Sequence, residues 1–145
     1  MATDRHAEVS WQGSLLEGSG TIERVGSAAF GPLDVTWASR TEDETRGRTS
    51  PEELIAAAHA SCFSMALAHG LAGAGSAPER LHTRADVTFQ PGPGITGIVI
   101  TVRGRVPGLD EDAFRAAAED AVRNCPVSQA LAAVPEISLD AALES

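Results

Sequence analysis

The residues of this chain best suited to covalent chemistry are two cysteines, Cys62 and Cys125, which lie 63 positions apart. A thiol attacks, binds metal or exchanges disulfides as its thiolate, so each cysteine has to be asked what would ionise it. Three roles are open to such a pair: buried apolar side chains, metal ligands, or redox-active thiols. A zinc site calls for paired ligands at short spacing, and no Cys-x2-4-Cys pair is present. His59 and Cys62 stand three residues apart and would share one face of a helix. That is half a metal site, with no second matching pair. Cys62 sits in an apolar stretch, where a lone cysteine reads first as packing. Cys125 directly precedes Pro126. At a helix start, free backbone N–H groups and the positive end of the dipole favour thiolate.

The segment that carries Cys62 has clear helical punctuation. Ser50 suits an N-cap, Pro51 the first helical position, and Glu53 a capping box with Ser50. Glu52 and Glu53 also suit the positive end of the dipole. The pattern predicts a helix from there to about Gly70, ended by glycines 70, 73 and 75. Its many alanines leave little bulk, so a second helix could approach closely. Leu54 to Pro78 holds no Asp, Glu, Lys or Arg and is long enough to span a bilayer. It is mostly Ala and Gly, carries His59, Ser61, Ser64, His69 and Ser76, and lacks basic flanks. It therefore reads as a helix buried in protein.

Around this helix the chain reads as α+β. Ala7–Gln12 alternates like a half-buried strand. Thr21–Val25 and Val35–Arg40 read as further strands, and Thr41–Thr49 as an exposed charged loop. Downstream, the alternation Ala85, Val87, Phe89, the turn Pro91-Gly92-Pro93-Gly94 and the apolar run Ile95–Val106 predict a β-hairpin. A second helix capped near Asp110 runs through Asn124. Val127–Val134 reads as a short third helix and Ile137–Ala141 as a last strand.

The 145 residues are read as a single domain, 1–145, large enough to bury a core without disulfides or metal. The net charge of −9, with no Lys at all, repels phosphate backbones and anionic lipid, so neither nucleic acid nor membrane is an expected partner. Two cysteines are too few for a disulfide scaffold, and the opening Met1–Gly13 has no apolar run of the kind a secretory leader carries. Both points predict a cytoplasmic protein.

Two stretches are distinctive. Thr49-Ser50-Pro51-Glu52-Glu53-Leu54-Ile55-Ala56-Ala57-Ala58-His59-Ala60-Ser61-Cys62-Phe63-Ser64-Met65-Ala66-Leu67 resembles the signature of the OsmC/Ohr family of thiol peroxidases, as does Asn124-Cys125-Pro126-Val127-Ser128-Gln129-Ala130-Leu131. Both resemble the OsmC (osmotically inducible protein) branch more than the organic hydroperoxide resistance branch. The order of elements fits along the whole chain, from the strand with Trp11 to Ile137-Ser138-Leu139-Asp140. The resemblance implies an OsmC-like α+β fold in an intertwined homodimer, with active sites at the subunit interface. It implies reduction of organic hydroperoxides without a bound cofactor or metal, in oxidative or osmotic stress defence. Cys62 would be the attacking sulfur and Cys125 the resolving one, joined in a disulfide that an external dithiol, of lipoyl type by the same resemblance, reopens. Glu52 and Arg40 would be the catalytic Glu and Arg, with Arg46 and Arg48 competing for the second role.

Arginine stays charged at any working pH, so it can stabilise thiolate, and a carboxylate can orient it through a two-point pair. Read alone, Arg40 is surface charge and Glu52 a helix-end acid. Glu52 and Cys62 are ten residues apart, about 15 Å of rise on one helix, which implies that the second subunit supplies Glu52 to each Cys62. Phe63, Met65 and Leu67 are candidates for either an apolar substrate wall or plain core. His59 can polarise the thiol or a water, or sit as a satisfied core histidine. Two other uses of the same residues stand beside the enzyme: a redox-switched binding protein, and a scaffold without turnover.

Overall fold

A computed structural model describes residues 1–144 of the protein. They group into two compact units, Met1–Leu54 and the residues from Ile55 onward.

The first unit is a three-stranded antiparallel meander, β1 (Ala7–Gln12), β2 (Ser19–Val25) and β3 (Leu33–Val35). The period-2 reading of Ala7–Gln12 gives the strand, but all six residues are exposed rather than half-buried. Trp11 pairs with Gly20. A Cβ at Gly20 would stand 2.6 Å from the Trp11 ring, so only glycine lets the indole lie across the neighbouring strand. The expected strand Val35–Arg40 is corrected. β3 stops at Val35, and Trp37–Thr41 forms a short helix, α1. Thr36 starts it through a reciprocal cap: Ser39 N–H donates to Thr36 Oγ1, and Thr36 N–H to Ser39 Oγ, both at 3.0 Å. That local pair outweighs the strand preference of Val35, Thr36 and Trp37.

Helix α2 runs from Pro51 to Gly73, three residues past the expected end. Gly70 and Gly73 are inside it. The stop is Gly75 at φ 87°, around which Ser76 N–H reaches the Leu71 carbonyl at 2.8 Å. Half of the expected capping box forms. Glu53 N–H donates to Ser50 Oγ (3.1 Å), while the Glu53 carboxylate takes the Thr49 hydroxyl (2.8 Å) instead of the Ser50 N–H.

In the second unit, β4 (Arg80–Gln90) and β5 (Gly94–Arg105) form the expected hairpin. Gly92 (φ 97°) and Gly94 (φ 96°) make its turn. The last strand, β6 (Glu136–Leu143), lies parallel to β5. A parallel neighbour requires a crossover. Helices α3 (Glu111–Asn124) and α4 (Pro126–Ala130) supply it, α4 being shorter than the Val127–Val134 reading. Ile98, Ile100 and Val102 of β5 pack with Phe63, Leu67 and Leu71 of α2 and Phe114, Ala118 and Ala121 of α3 in one apolar cluster. Gly104 continues that face. A Cβ there would sit 2.6 Å from the Phe114 ring, so the bare glycine admits the aromatic ring onto the sheet.

Helix α2 is apolar or small on nearly every side. From His59 onward its buried positions, His59, Phe63, Leu67 and Leu71, follow a four-residue spacing. Its most apolar stretch is long and hydrophobic enough to cross a membrane by length and composition, and 22% of that stretch is buried. The expectation of a helix buried in protein is thus met along one stripe, and Met65 on another side is 72% exposed.

Candidate functional site

The first unit builds a paired guanidinium. Arg40 comes from α1 and Glu52 from the first turn of α2. Arg40 Nε donates to Glu52 Oε1 at 2.9 Å and Nη2 to Oε2 at 2.9 Å, a two-point contact that locks the plane of the guanidinium. Glu52 is 6% exposed, so this carboxylate has been taken out of water and depends on its partner. Arg40 also lies over the Trp37 ring, 5.8 Å from its centroid, in cation–π range. Of the three arginines weighed from sequence, the structure pairs Arg40 with Glu52. Arg46 is exposed and faces Glu44 at 3.9 Å, and Arg48 is exposed.

The second unit builds a pair of thiols. Cys62 lies mid-way along α2 and is partly open, whereas Cys125 is fully buried. Across 63 residues of chain, the fold brings them close enough for their thiols to act as donor and acceptor. Cys125 ends α3 and begins α4 with extended backbone (φ −63°, ψ 120°), and Pro126 follows at the first helical position. It makes no conventional cap hydrogen bond. Its sulfur nonetheless lies where the Val127 and Ser128 N–H groups and the Ser128 hydroxyl act on it.

These surroundings push the two thiols in opposite directions. Burial raises Cys62 above the ordinary thiol range, donation to Cys125 raises it further, and the Val127 N–H offsets part of that. Burial also works to raise Cys125, but the Cys62 thiol and the Ser128 and Val127 donors outweigh it and bring it below the ordinary range. Within one chain, then, the surroundings favour charge on Cys125 more than on Cys62. A cation brought to Cys62 would favour its thiolate.

Next to Cys125 lies a pair that sequence reasoning only half found. His59 Nε2 and Ser128 Oγ are 2.7 Å apart. Both residues are buried, His59 at 0% and Ser128 at 8% exposure. Among the described residues, His59 Nδ1 is buried with no hydrogen-bond partner. Burial also holds the imidazole below its ordinary pKa of 6.5, so it is neutral at physiological pH. Of the two roles open to His59, thiol polariser and satisfied core residue, the second holds at one nitrogen only. Ser128 carried no assigned role. Its position three after a helix-starting cysteine was the available signal.

Phe63 and Leu67, candidates for a substrate wall, are both 0% exposed within the apolar cluster and serve as core. Met65 alone of the three is open. The described residues include no group of three or more His, Cys, Asp or Glu side chains arranged to hold a metal ion.

Known proteins are similar to this chain in sequence and in fold. The family described as OsmC-like protein matches residues 42–140. A protein of Escherichia coli (strain K12) named peroxiredoxin OsmC is 39% identical over 149 aligned positions, covering 100% of both chains. An organic hydroperoxide resistance protein of Xanthomonas axonopodis pv. citri is 33% identical over 57% of this chain and 58% of its own. Among solved structures, an organic hydroperoxide resistance protein from Elizabethkingia anophelis superposes with a TM-score of 0.70 at 20% identity, over 99% of this chain and 100% of that one. With the α+β order of elements, the family match and the full-length relative in agreement, the chain belongs to the OsmC-like protein family.

Proposed function

We propose that the protein is a thiol peroxidase that reduces organic hydroperoxides to alcohols in peroxide stress defence, with Cys62 as the attacking sulfur and Cys125 as the resolving one. One observation carries this reading: a partly open thiol on a long helix stands within reach of a second, enclosed thiol 63 residues away. Packing alone does not call for two thiols near enough to influence each other. The names of the relatives, peroxiredoxin OsmC and organic hydroperoxide resistance protein, support the same chemistry.

In the first step the Cys62 thiolate attacks the outer oxygen of ROOH. An S–O bond forms, the O–O bond breaks, and the alkoxide leaves with a proton as ROH. Sulfur is oxidised by two electrons to sulfenic acid. In the second step Cys125 attacks that sulfur, the S–O bond breaks, and water leaves. An external dithiol then reduces the disulfide by two successive exchanges.

The cation brought to Cys62 is Arg40, held by Glu52. The two-point contact keeps the guanidinium ready for thiolate and for charge developing on the peroxide oxygen. Ten residues of α2 separate Glu52 from Cys62, about 15 Å of rise, so the working unit is a homodimer in which a second copy supplies the pair. The bare, alanine-rich sides of α2 favour such a partner, because a helix apolar all round calls for cover. The proposed location is the cytoplasm.

The test is consumption of cumene hydroperoxide in the presence of a dithiol. Many turnovers per chain, lost in Cys62→Ser, are expected. A single stoichiometric oxidation without turnover would instead make the thiols a redox switch. Mixed dimers of Cys62→Ser and Glu52→Ala chains should recover about one working site per dimer. No recovery would place both groups of a site in one chain.

A further inference from the structure

We propose that His59 and Ser128 form a buried positioning pair that aims a hydroxyl hydrogen at the Cys125 sulfur and readies it both to attack and to leave. The inference rests on the peroxidase reading for its role in the cycle, but not for its physical test.

The geometry sets the direction of the hydrogen bonds. Ser128 has one hydroxyl hydrogen and two neighbours that can receive it, His59 Nε2 at 2.7 Å and the Cys125 sulfur. The neutral imidazole has one hydrogen for two nitrogens, and Nδ1 is buried without a partner. With that hydrogen on Nδ1, a buried donor would be stranded, and Ser128 would have to turn its hydroxyl toward the ring. With it on Nε2, His59 donates to Ser128 Oγ, and the hydroxyl hydrogen is free to reach sulfur. Only the second arrangement satisfies every donor. The chain of donors is then His59 Nε2–H to Ser128 Oγ–H to Cys125 Sγ, each bond polarising the next.

The other titratable group that faces Cys125 is Cys62 on α2. On α3, the nearby Asp120 and Arg123 pair with each other at the surface. β5 presents the apolar Ile98, Ile100 and Val102 to the cluster around the site. A neutral donor is therefore the means this interior has of favouring a charged sulfur. In resolution, the donor pair raises the fraction of Cys125 present as thiolate. When the dithiol opens the bond, the same pair stabilises Cys125 as the departing thiolate.

In a Cys62→Ser chain, Cys125 is the sole thiol, and its ionisation can be followed by thiolate absorbance near 240 nm without a reagent having to enter the core. Adding Ser128→Ala should move the midpoint up by about one pH unit, a tenfold loss of thiolate at neutral pH. Ser128→Thr, which keeps the hydroxyl, should restore it. His59→Leu should shift it in the same direction, and His59→Gln, which keeps a donor near Nε2, should bring it back. An unmoved midpoint in Ser128→Ala, or an equal shift in Ser128→Thr, overturns the proposal. If Ser128→Ala does not fold, the contrast between His59→Leu and His59→Gln decides it. With both cysteines present, rapid-quench mass spectrometry after one equivalent of hydroperoxide should show closure of the disulfide slowed about tenfold at pH 7 in Ser128→Ala, with the deficit shrinking at alkaline pH. A deficit equal at every pH also overturns the proposal. If Cys62 gains no oxygen at all, the peroxidase reading fails, while the titration still decides the donor pair.

Discussion

The chain keeps polar side chains out of water in two regions, by opposite means. Glu52 is held by full opposite charge, in two short hydrogen bonds from Arg40. Cys125 is held by neutral groups: a thiol, a hydroxyl backed by an uncharged imidazole, and backbone N–H groups. The first arrangement holds two opposite charges in one fixed geometry. The second holds a charge that comes and goes with one proton. Substitutions in the first region should therefore act through electrostatics and stability alike, and substitutions in the second through pH.

The largest effect should come from the sulfur itself. Cys62→Ser should take hydroperoxide consumption to background, while Cys125→Ser should still oxidise once and then stall. Mass spectrometry of the two chains separates these results. Next comes Glu52→Ala, which removes the carboxylate that fixes the plane of the Arg40 guanidinium. Peroxide turnover should fall about 100-fold, and urea unfolding should register a loss of about 1–2 kcal/mol. If the rate falls no more than in an exposed Arg46→Ala control, the ion pair is structural and the contrast between the regions disappears. Thr36→Ala removes the cap that starts α1 and so loosens the base of Arg40. It should cost about 1 kcal/mol, readable as a lower melting temperature.

The smallest effect should be the pH dependence of stability. Burial holds His59 below its ordinary 6.5, so the unfolded chain binds that proton more readily than the folded one. Stability should accordingly decline as pH drops below about 6.5, and His59→Gln should flatten that decline. A parent and variant with parallel urea midpoints between pH 7 and pH 5 would remove His59 as the cause.

Much of this was legible in the residues. The Ser50-Pro51 start of α2, the Pro-Gly turn of the hairpin and the Asp110 cap of α3 are local signals with local causes, and each holds in the structure. Val35–Arg40 was misread because β-branched and aromatic residues there favour a strand, whereas one Thr–Ser reciprocal bond makes a helix. The nearness of Cys62 and Cys125 was legible only by resemblance to a family, since 63 residues of intervening chain carry no spacing rule. Ser128 was not legible as anything more than part of a motif. Its importance comes from a histidine 69 positions earlier that meets it only after the core has formed.

Cys125 both closes α3 and opens α4. A covalent link from it to Cys62 would staple α2 to that junction and close a loop of about 63 residues, restricting the unfolded chain by about 4 kcal/mol. The spent molecule awaiting its reductant should thus be the more heat-resistant form. A melting curve run with and without dithiol would then report directly how much of a sample is waiting to be recharged.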